Sequence, residues 1–159
     1  MEKEICAYAA GLFDGEGYVD IYNAPLSKAS KSPSLMLRVV ISQKDGVIMN
    51  WLKSQFGGNV ALQRKGKYYI YRWSIKSQIA YRFLISISPF VKIKKSQVEL
   101  AIEFEKTKGR YLDTLKGHQG FRTLSKQEIT QRMRMKEQLK RLNKQYAPYI
   151  KNGAATTTE

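Results

Sequence analysis

Ala9-Ala10-Gly11-Leu12-Phe13-Asp14-Gly15-Glu16-Gly17 is the stretch that sets the architecture, because it joins an amphipathic helix, a glycine break and a carboxylate in one register. Reading back to Glu2, residues 2–14 place Ile5, Tyr8, Leu12 and Phe13 at the spacing of a helix with one apolar face turned to a core. Ala7, Ala10 and Gly11, followed by Asp14, make a second stripe of small side chains. A glycine inside a helix costs about 1 kcal/mol relative to alanine, so Gly11 points to a close visitor on that face, such as another helix backbone. Gly15 and Gly17 predict the helix end and bracket Glu16 at its terminus.

Beyond the block, Val19 and Ile21 alternate with Tyr18, Asp20 and Tyr22, the period of a half-buried strand. A turn-rich stretch from Asn23 to Pro33 leads to a second strand, in which Leu35, Leu37, Val39 and Ile41 share one face and Met36, Arg38 and Val40 the other. Together they predict a long hairpin. Lys44-Asp45-Gly46 closes the strand. Val47, Ile48, Trp51, Leu52 and Phe56 then recur at helical spacing until Gly57-Gly58. A second hairpin has Val60 and Leu62 opposing Ala61 and Gln63, a basic turn over residues 64–67, and a return strand with Tyr71, Trp73 and Ile75 inward and Ile70 and Arg72 outward. Ile79, Phe83, Leu84 and Ile87 predict a third helix ended at Pro89. In residues 89–95 the alternation aims Lys92 and Lys94 one way, Val91 and Ile93 the other. Ser96 is read as the cap of a helix carrying Val98, Leu100, Ala101, Ile102 and Phe104. After a loop over 110–124, Ser125 and Glu128 have capping-box spacing for a last helix with Ile129, Met133, Leu139 and Leu142 as its apolar residues.

A chain of 159 residues has room for one domain with a proper core. Cys6 and His118 stand alone, so there is neither an intramolecular disulfide nor a Cys/His set for zinc, and any metal must be a hard cation held by oxygen. No run of about 18 apolar residues and no signal-peptide pattern occurs. That predicts a soluble intracellular protein, in cytoplasm or nucleoid or in an organelle, with no membrane partner. The formal net charge is +15, unevenly spread. Residues 1–23 hold five acids and one base, net −4, whereas residues 24–98 hold fourteen bases and one acid, net +13. A polyanion is the natural partner of that middle segment.

The nine-residue block resembles the signature of the LAGLIDADG homing endonucleases. Ala10, Gly11, Leu12, Asp14 and Gly17 match it, while Ala9, Phe13, Gly15 and Glu16 stand for its leading leucine, its isoleucine, its second alanine and its second aspartate. The resemblance implies an α+β fold with an αββαββα core over residues 1–109, whose four antiparallel strands form a saddle over DNA. A C-terminal loop and helix (110–150) would pack on this core, followed by a disordered tail (151–159). It further implies that the motif helices of two chains pack through Ala7, Ala10, Gly11 and Asp14 in a homodimer, since the motif occurs once. Glu16 and the Gly15 carbonyl would bind Mg2+ or Mn2+, with Ca2+ a non-catalytic substitute. Ile41-Ser42-Gln43-Lys44 is similar to the family segment whose glutamine orders a water, and Lys94 matches its active-site lysine, so the catalytic set is Glu16, Gln43 and Lys94.

Since a two-stranded ribbon fits the major groove, the outward residues Tyr18, Asp20, Tyr22, Met36, Arg38, Gln63 and Arg72 are candidates for reading bases. Lys28, Lys31, Arg64, Lys65 and Lys67, at the hairpin tips, are candidates for holding phosphates. The implied activity is site-specific hydrolysis of both strands of a palindromic or near-palindromic DNA to short 3′ overhangs, in an intron- or intein-associated enzyme. The alternative is a non-catalytic nucleic-acid binder of the same fold, either an RNA-splicing maturase acting on intron RNA or a DNA-binding regulator. A basic structural or ribosome-associated protein would explain the charge but not the acidic motif segment.

Overall fold

In the computed structural model, described over residues 2–24, 35–107 and 125–145, the chain begins with α1 (Lys3–Glu16) and turns directly into β1 (Gly17–Asn23). There follow β2 (Leu35–Gln43), α2 (Gly46–Phe56), β3 (Asn59–Lys65), β4 (Tyr68–Lys76), α3 (Ser77–Ile87), α4 (Lys95–Lys106) and α5 (Lys126–Gln145). Lys28, Lys31, His118, the loop 110–124 and the tail 151–159 lie outside the described residues. The four strands form one antiparallel sheet in the order β1-β2-β4-β3. Both expected hairpins are present. Their union through β2 and β4 is a tertiary pairing that no local pattern encodes.

Helix α1 runs through Glu16, so Gly15 is helical, and the amide of Gly17 closes the last turn on the Phe13 carbonyl. A Cβ on Gly17 would lie 2.6 Å from Phe13 Cδ2 and 2.9 Å from its Cα, so the helix-to-strand corner admits only glycine. The core stripe of α1 is Cys6, Ala9, Ala10 and Phe13, at i, i+3, i+4 and i+7. This corrects the expected face of Ile5, Tyr8, Leu12 and Phe13: Tyr8 is 50% exposed, its ring packed edge-on to Trp51 at 5.1 Å. Small residues face inward because α1 lies close over the sheet.

Asp45 belongs to α2 rather than closing β2: its carboxylate accepts from the amides of Val47 and Ile48 as an N-cap. The buried residues of α2 are Met49 and Leu52, and Val47 faces out. At its C-terminus Gly57 and Gly58 take φ of 73° and 91°, and the Gly57 carbonyl accepts from Trp73 Nε1 at 2.8 Å. Strand β4 passes into α3 with no intervening residue, and Ser77 makes the corner at φ 48°. Helix α3 buries Ala80, Phe83, Leu84 and Ile87, leaving Ile79 outside.

The expected alternation over 89–95 fails. Val91 is buried but Ile93 is 54% exposed, because the segment bends instead of extending. Helix α4 accordingly starts at Lys95 with Lys94 at its cap position, and Ser96 lies inside it.

Every strand residue of the hydrophobic core cluster comes from one face of the sheet: Val19, Ile21, Leu35, Leu37, Val39, Ile41, Trp73 and Ile75. The helices pack on that face. Phe83 is the centre of the aromatic core, with its ring 4.9 Å from Phe56, 5.2 Å from Trp73 and 6.4 Å from Phe13 in edge-on contacts.

The capping box of α5 is present in both directions, Ser125 amide to Glu128 and Glu128 amide to Ser125 Oγ. Its buried residues are Arg132, Met135 and Leu139, while Met133 faces solvent. The helix lies along β1, where Asn143 Nδ2 donates to the Val19 carbonyl and Lys136 Nζ to Asn23 Oδ1. Among the described residues, no helix is long and apolar enough to cross a membrane.

Candidate metal centre and nucleic-acid interface

The end of α1 is tied to the segment before α4 by a two-way clamp. The Asp14 carboxylate accepts from three successive amides, Lys92 at 2.7 Å, Ile93 at 3.2 Å and Lys94 at 3.0 Å. In return the Lys94 ammonium donates to the carbonyls of Phe13 at 3.0 Å and Gly17 at 2.6 Å. A cation at a helix C-terminus meets the negative end of the helix dipole and its unpaired carbonyls. Burial pushes the Lys94 pKa below the ordinary lysine value, against the opposing pull of the Asp14 and Glu16 carboxylates. Asp14 therefore serves the chain's own fold. Sequence could not reveal this, because its three partners are 78 to 80 residues away.

Glu16 ends α1 with its side chain exposed, and among the described residues it has no hydrogen bond or ion pair. Gly17 pairs with Ile41 across β1 and β2. Gln43, two residues further along β2 and opposite Tyr71 on β4, therefore lies on the helix-bearing face at the same end of the sheet. Register thus puts Gln43 at the end of the sheet where α1 delivers Glu16, and the Lys94 ammonium reaches the same α1–β1 corner.

Among the described residues no three His, Cys, Asp or Glu side chains cluster as a metal site. What the end of α1 provides is one exposed carboxylate and the last-turn carbonyls, Gly15 among them, which have no partner further along the helix. That oxygen-only donor set suits a hard divalent cation that keeps water or phosphate oxygens as its other ligands, so the residues fit.

The outward stripe of α1 differs from the expected Ala7, Ala10, Gly11 and Asp14. Ala10 is fully buried in the chain's own core, and Asp14 is engaged with the 92–94 amides. Ala7, Gly11 and Gly15 are exposed at i, i+4 and i+8. A Cβ added to Gly11 or Gly15 would meet nothing within 4 Å.

The second face of the sheet collects all seven predicted base-reading residues. Register places Tyr18 beside Val40 and Ser74; Asp20 beside Arg38 and Lys76; Tyr22 beside Met36; Arg72 beside Ser42 and Ala61; and Gln63 beside Ile70. Several are held by one another. Arg38 donates to Asp20 from Nε at 3.0 Å and from Nη2 at 2.6 Å, and lies 4.8 Å over the Tyr22 ring. The Asp20 hydrogen bonds raise the Arg38 pKa against the opposing effect of burial. Tyr22 donates to Met36 Sδ, and Arg72 donates to Tyr18 Oη at 3.0 Å across β2. Lys76 shares the row of Arg38, a placement readable from its alternation with Arg72 but overlooked in the sequence. At the β3–β4 turn, Gly66 takes φ 63°, the positive φ that a tight hairpin turn reserves for glycine. Arg64, Lys65 and Lys67 are exposed around it.

Comparison with known proteins places this geometry. No curated protein sequence matches the chain. Among solved structures it is similar to the homing endonuclease I-CvuI bound to the I-CreI target in the presence of magnesium, at 11% identity and a TM-score of 0.66, over 88% of this chain and 83% of that one. It is also similar to the homing endonuclease I-TnaI, at 15% identity and a TM-score of 0.60, over 91% and 97%. The archaeal intron-encoded homing endonuclease I-Vdi141I in complex with DNA matches at 16% identity and a TM-score of 0.52, over 87% and 99%. At these identities the likeness is one of fold. Residues 9–88, half of the chain, match the family described as LAGLIDADG endonuclease, starting at the Ala9 that opens the signature block, and the chain belongs to that family.

Proposed function

We propose that the protein is a site-specific double-strand DNA endonuclease that uses a divalent metal, acts as a homodimer on a palindromic or near-palindromic target, and serves the mobility of an intron or intein. What supports this reading is the placement of Glu16 and Lys94 at the α1–β1 corner, with Gln43 at the same end of the sheet, beside a free face lined with Arg38, Arg72 and Lys76. The structural relatives support it by what they hold. I-CvuI was crystallised with DNA in magnesium and with its own target in calcium.

A divalent cation at this position, Mg2+ or Mn2+ in catalysis and Ca2+ without it, supplies charge stabilisation at the scissile phosphate and an activated water. Glu16 and the Gly15 carbonyl offer the oxygens that hold it. Lys94 spends two of its three N–H groups on the Phe13 and Gly17 carbonyls, which fixes its charge beside Glu16. Its remaining N–H is available to an anionic oxygen. Gln43 has both a donor and an acceptor with which to orient water. The exposed Ala7, Gly11 and Gly15 stripe is where a second α1 can approach, bringing two copies of Glu16 together.

The test is incubation of the full chain and magnesium with the uninterrupted host locus of its gene. Double-strand cleavage is expected. Glu16→Gln should abolish cutting and retain binding, since the side chain keeps its shape but loses its charge. An intact locus with the wild-type protein would transfer the fold to the non-catalytic binder. Cutting by the Glu16→Gln protein would remove Glu16 from the metal site.

A further inference from the structure

On the free face of the sheet, one cation is held differently from the others. Arg38 sits on the inner strand β2, away from the hairpin tips, directly opposite Asp20 in register. Asp20 grips the side edge of the guanidinium, Nε and Nη2, through both carboxylate oxygens. The Tyr22 ring supports its plane at 4.8 Å, and the two paired side chains are 26% and 27% exposed. A guanidinium has five N–H groups. This pair consumes two and leaves three, of which one on Nη1 and one on Nη2 form the end edge as a parallel fork. With the side edge tied and the plane stacked, that fork has lost most of its rotamer freedom before any ligand arrives, which lowers the entropic cost of binding.

Two parallel donors match two kinds of acceptor in DNA, the O6 and N7 of guanine and a pair of phosphate oxygens. The neighbouring charges choose between them. Asp20 holds a carboxylate against the same guanidinium and offsets its charge. Lys76, cross-strand on the other side of Arg38, has no ion pair among the described residues and offers a point charge better suited to a phosphate; the Arg38 fork is thereby left to the neutral acceptor edge of a base. We infer that Arg38, buttressed by Asp20 and Tyr22, reads a guanine in the major groove of the target and fixes that base in each half-site. The inference rests on the DNA-recognition reading above and adds the identity of one base to it. Arg72, whose Nη2 is bound to the neutral Tyr18 hydroxyl, has no carboxylate partner among the described residues and carries no comparable preference for a base over a phosphate.

Selection of the full-length protein against a randomised duplex library, in calcium to suppress cutting, gives the test. The wild-type site should contain one position, mirrored across the centre, where guanine is favoured by roughly 5- to 150-fold, the range expected of one bidentate contact. Arg38→Lys keeps the charge but loses the fork and should flatten that position while the other positions keep their preferences. Asp20→Asn keeps the shape of the buttress but weakens its hold, and should reduce the same preference partway. If Arg38→Lys instead weakens binding equally for all sequences, Arg38 holds a phosphate and the inference is overturned, with DNA recognition intact. A guanine position that survives both substitutions overturns it as well. If the wild-type protein enriches no sequence, the DNA-recognition reading itself fails and the inference fails with it.

Discussion

Gly11→Ala separates the stability of the chain from the stability of its assembly. Within one chain, Gly11 lies in the interior of α1 and an added methyl meets no atom within 4 Å. The substitution therefore brings only the difference in helix propensity, about 0.8–1.0 kcal/mol in favour of alanine. If two α1 helices pack through Ala7, Gly11 and Gly15, the same methyl enters the contact twice by symmetry. Overpacking of a tight contact costs about 1–3 kcal/mol per site, so the dimer should lose about 2–6 kcal/mol, a weakening of roughly 30-fold to 10⁴-fold in Kd. The two signs are opposite and are read by different instruments. Urea unfolding of the chain at concentrations below the dimer Kd should show the gain, and sedimentation equilibrium should show the loss. Unchanged self-association in a stabilised variant would refute α1 as the interface.

Three other substitutions probe the clamp and the corner beside it. Asp14→Ala removes the acceptor of three amides, of which those of Lys92 and Ile93 are exposed and that of Lys94 is partly buried. Water replaces the exposed contacts, so the loss should be about 2–3 kcal/mol, seen as a lower urea midpoint at constant slope; a loss below about 0.5 kcal/mol would show that the clamp contributes little. For Lys94, burial lowers the folded-state pKa below the ordinary 10.5. The unfolded chain then holds the proton where the folded chain has released it, and stability contributed by Lys94 rises with pH up to 10.5. The stability of the wild type relative to Lys94→Met should accordingly climb as pH approaches 10.5, and a flat or falling difference in denaturant titrations would contradict the burial argument. Gly17→Ala forces a methyl against Phe13 backbone atoms at 2.8 and 2.9 Å and should cost about 3 kcal/mol, opposite in sign to Gly11→Ala; a neutral thermal shift would mean that the corner can open without penalty.

Much of this fold can be read from period alone. The alternation of Leu35, Leu37, Val39 and Ile41 against Met36 and Arg38 defines both faces of β2, and the Tyr71, Trp73, Ile75 assignment follows from the same period of two. The Ser125 and Glu128 box located the start of α5 because its chemistry is confined to four residues. Rotation of a helix about its axis is harder to read. In α1 the sequence offers Tyr8 and Leu12 as core beside Phe13, yet Ala9 and Ala10 are the residues that join Phe13 with no exposed surface, since a close approach to the sheet at those positions selects small side chains over large ones. Met133 and Met135 in α5 show the same ambiguity. Contacts such as Asp14 to the 92–94 amides, or Arg38 to Asp20, depend on segments brought together by the sheet and by the packing of α4. Sequence places the charges there without saying which will neutralise one another.

The two borders of the sheet are protected by different means. Along β1 the side chain of Asn143 occupies the Val19 carbonyl and α5 fills the flank, so an extended peptide finds no row of free amides and carbonyls there. Along β3 no strand pairs with the outer edge among the described residues, and the strand carries Arg64 and Lys65, whose repulsion disfavours edge-to-edge growth between copies of this chain. A protein with this much β-branched and aromatic strand sequence needs such protection when its concentration rises during synthesis. Truncation before α5 would uncover the first border and remove Met135 and Leu139 from the core, and the predicted result is a destabilised chain that aggregates through β1.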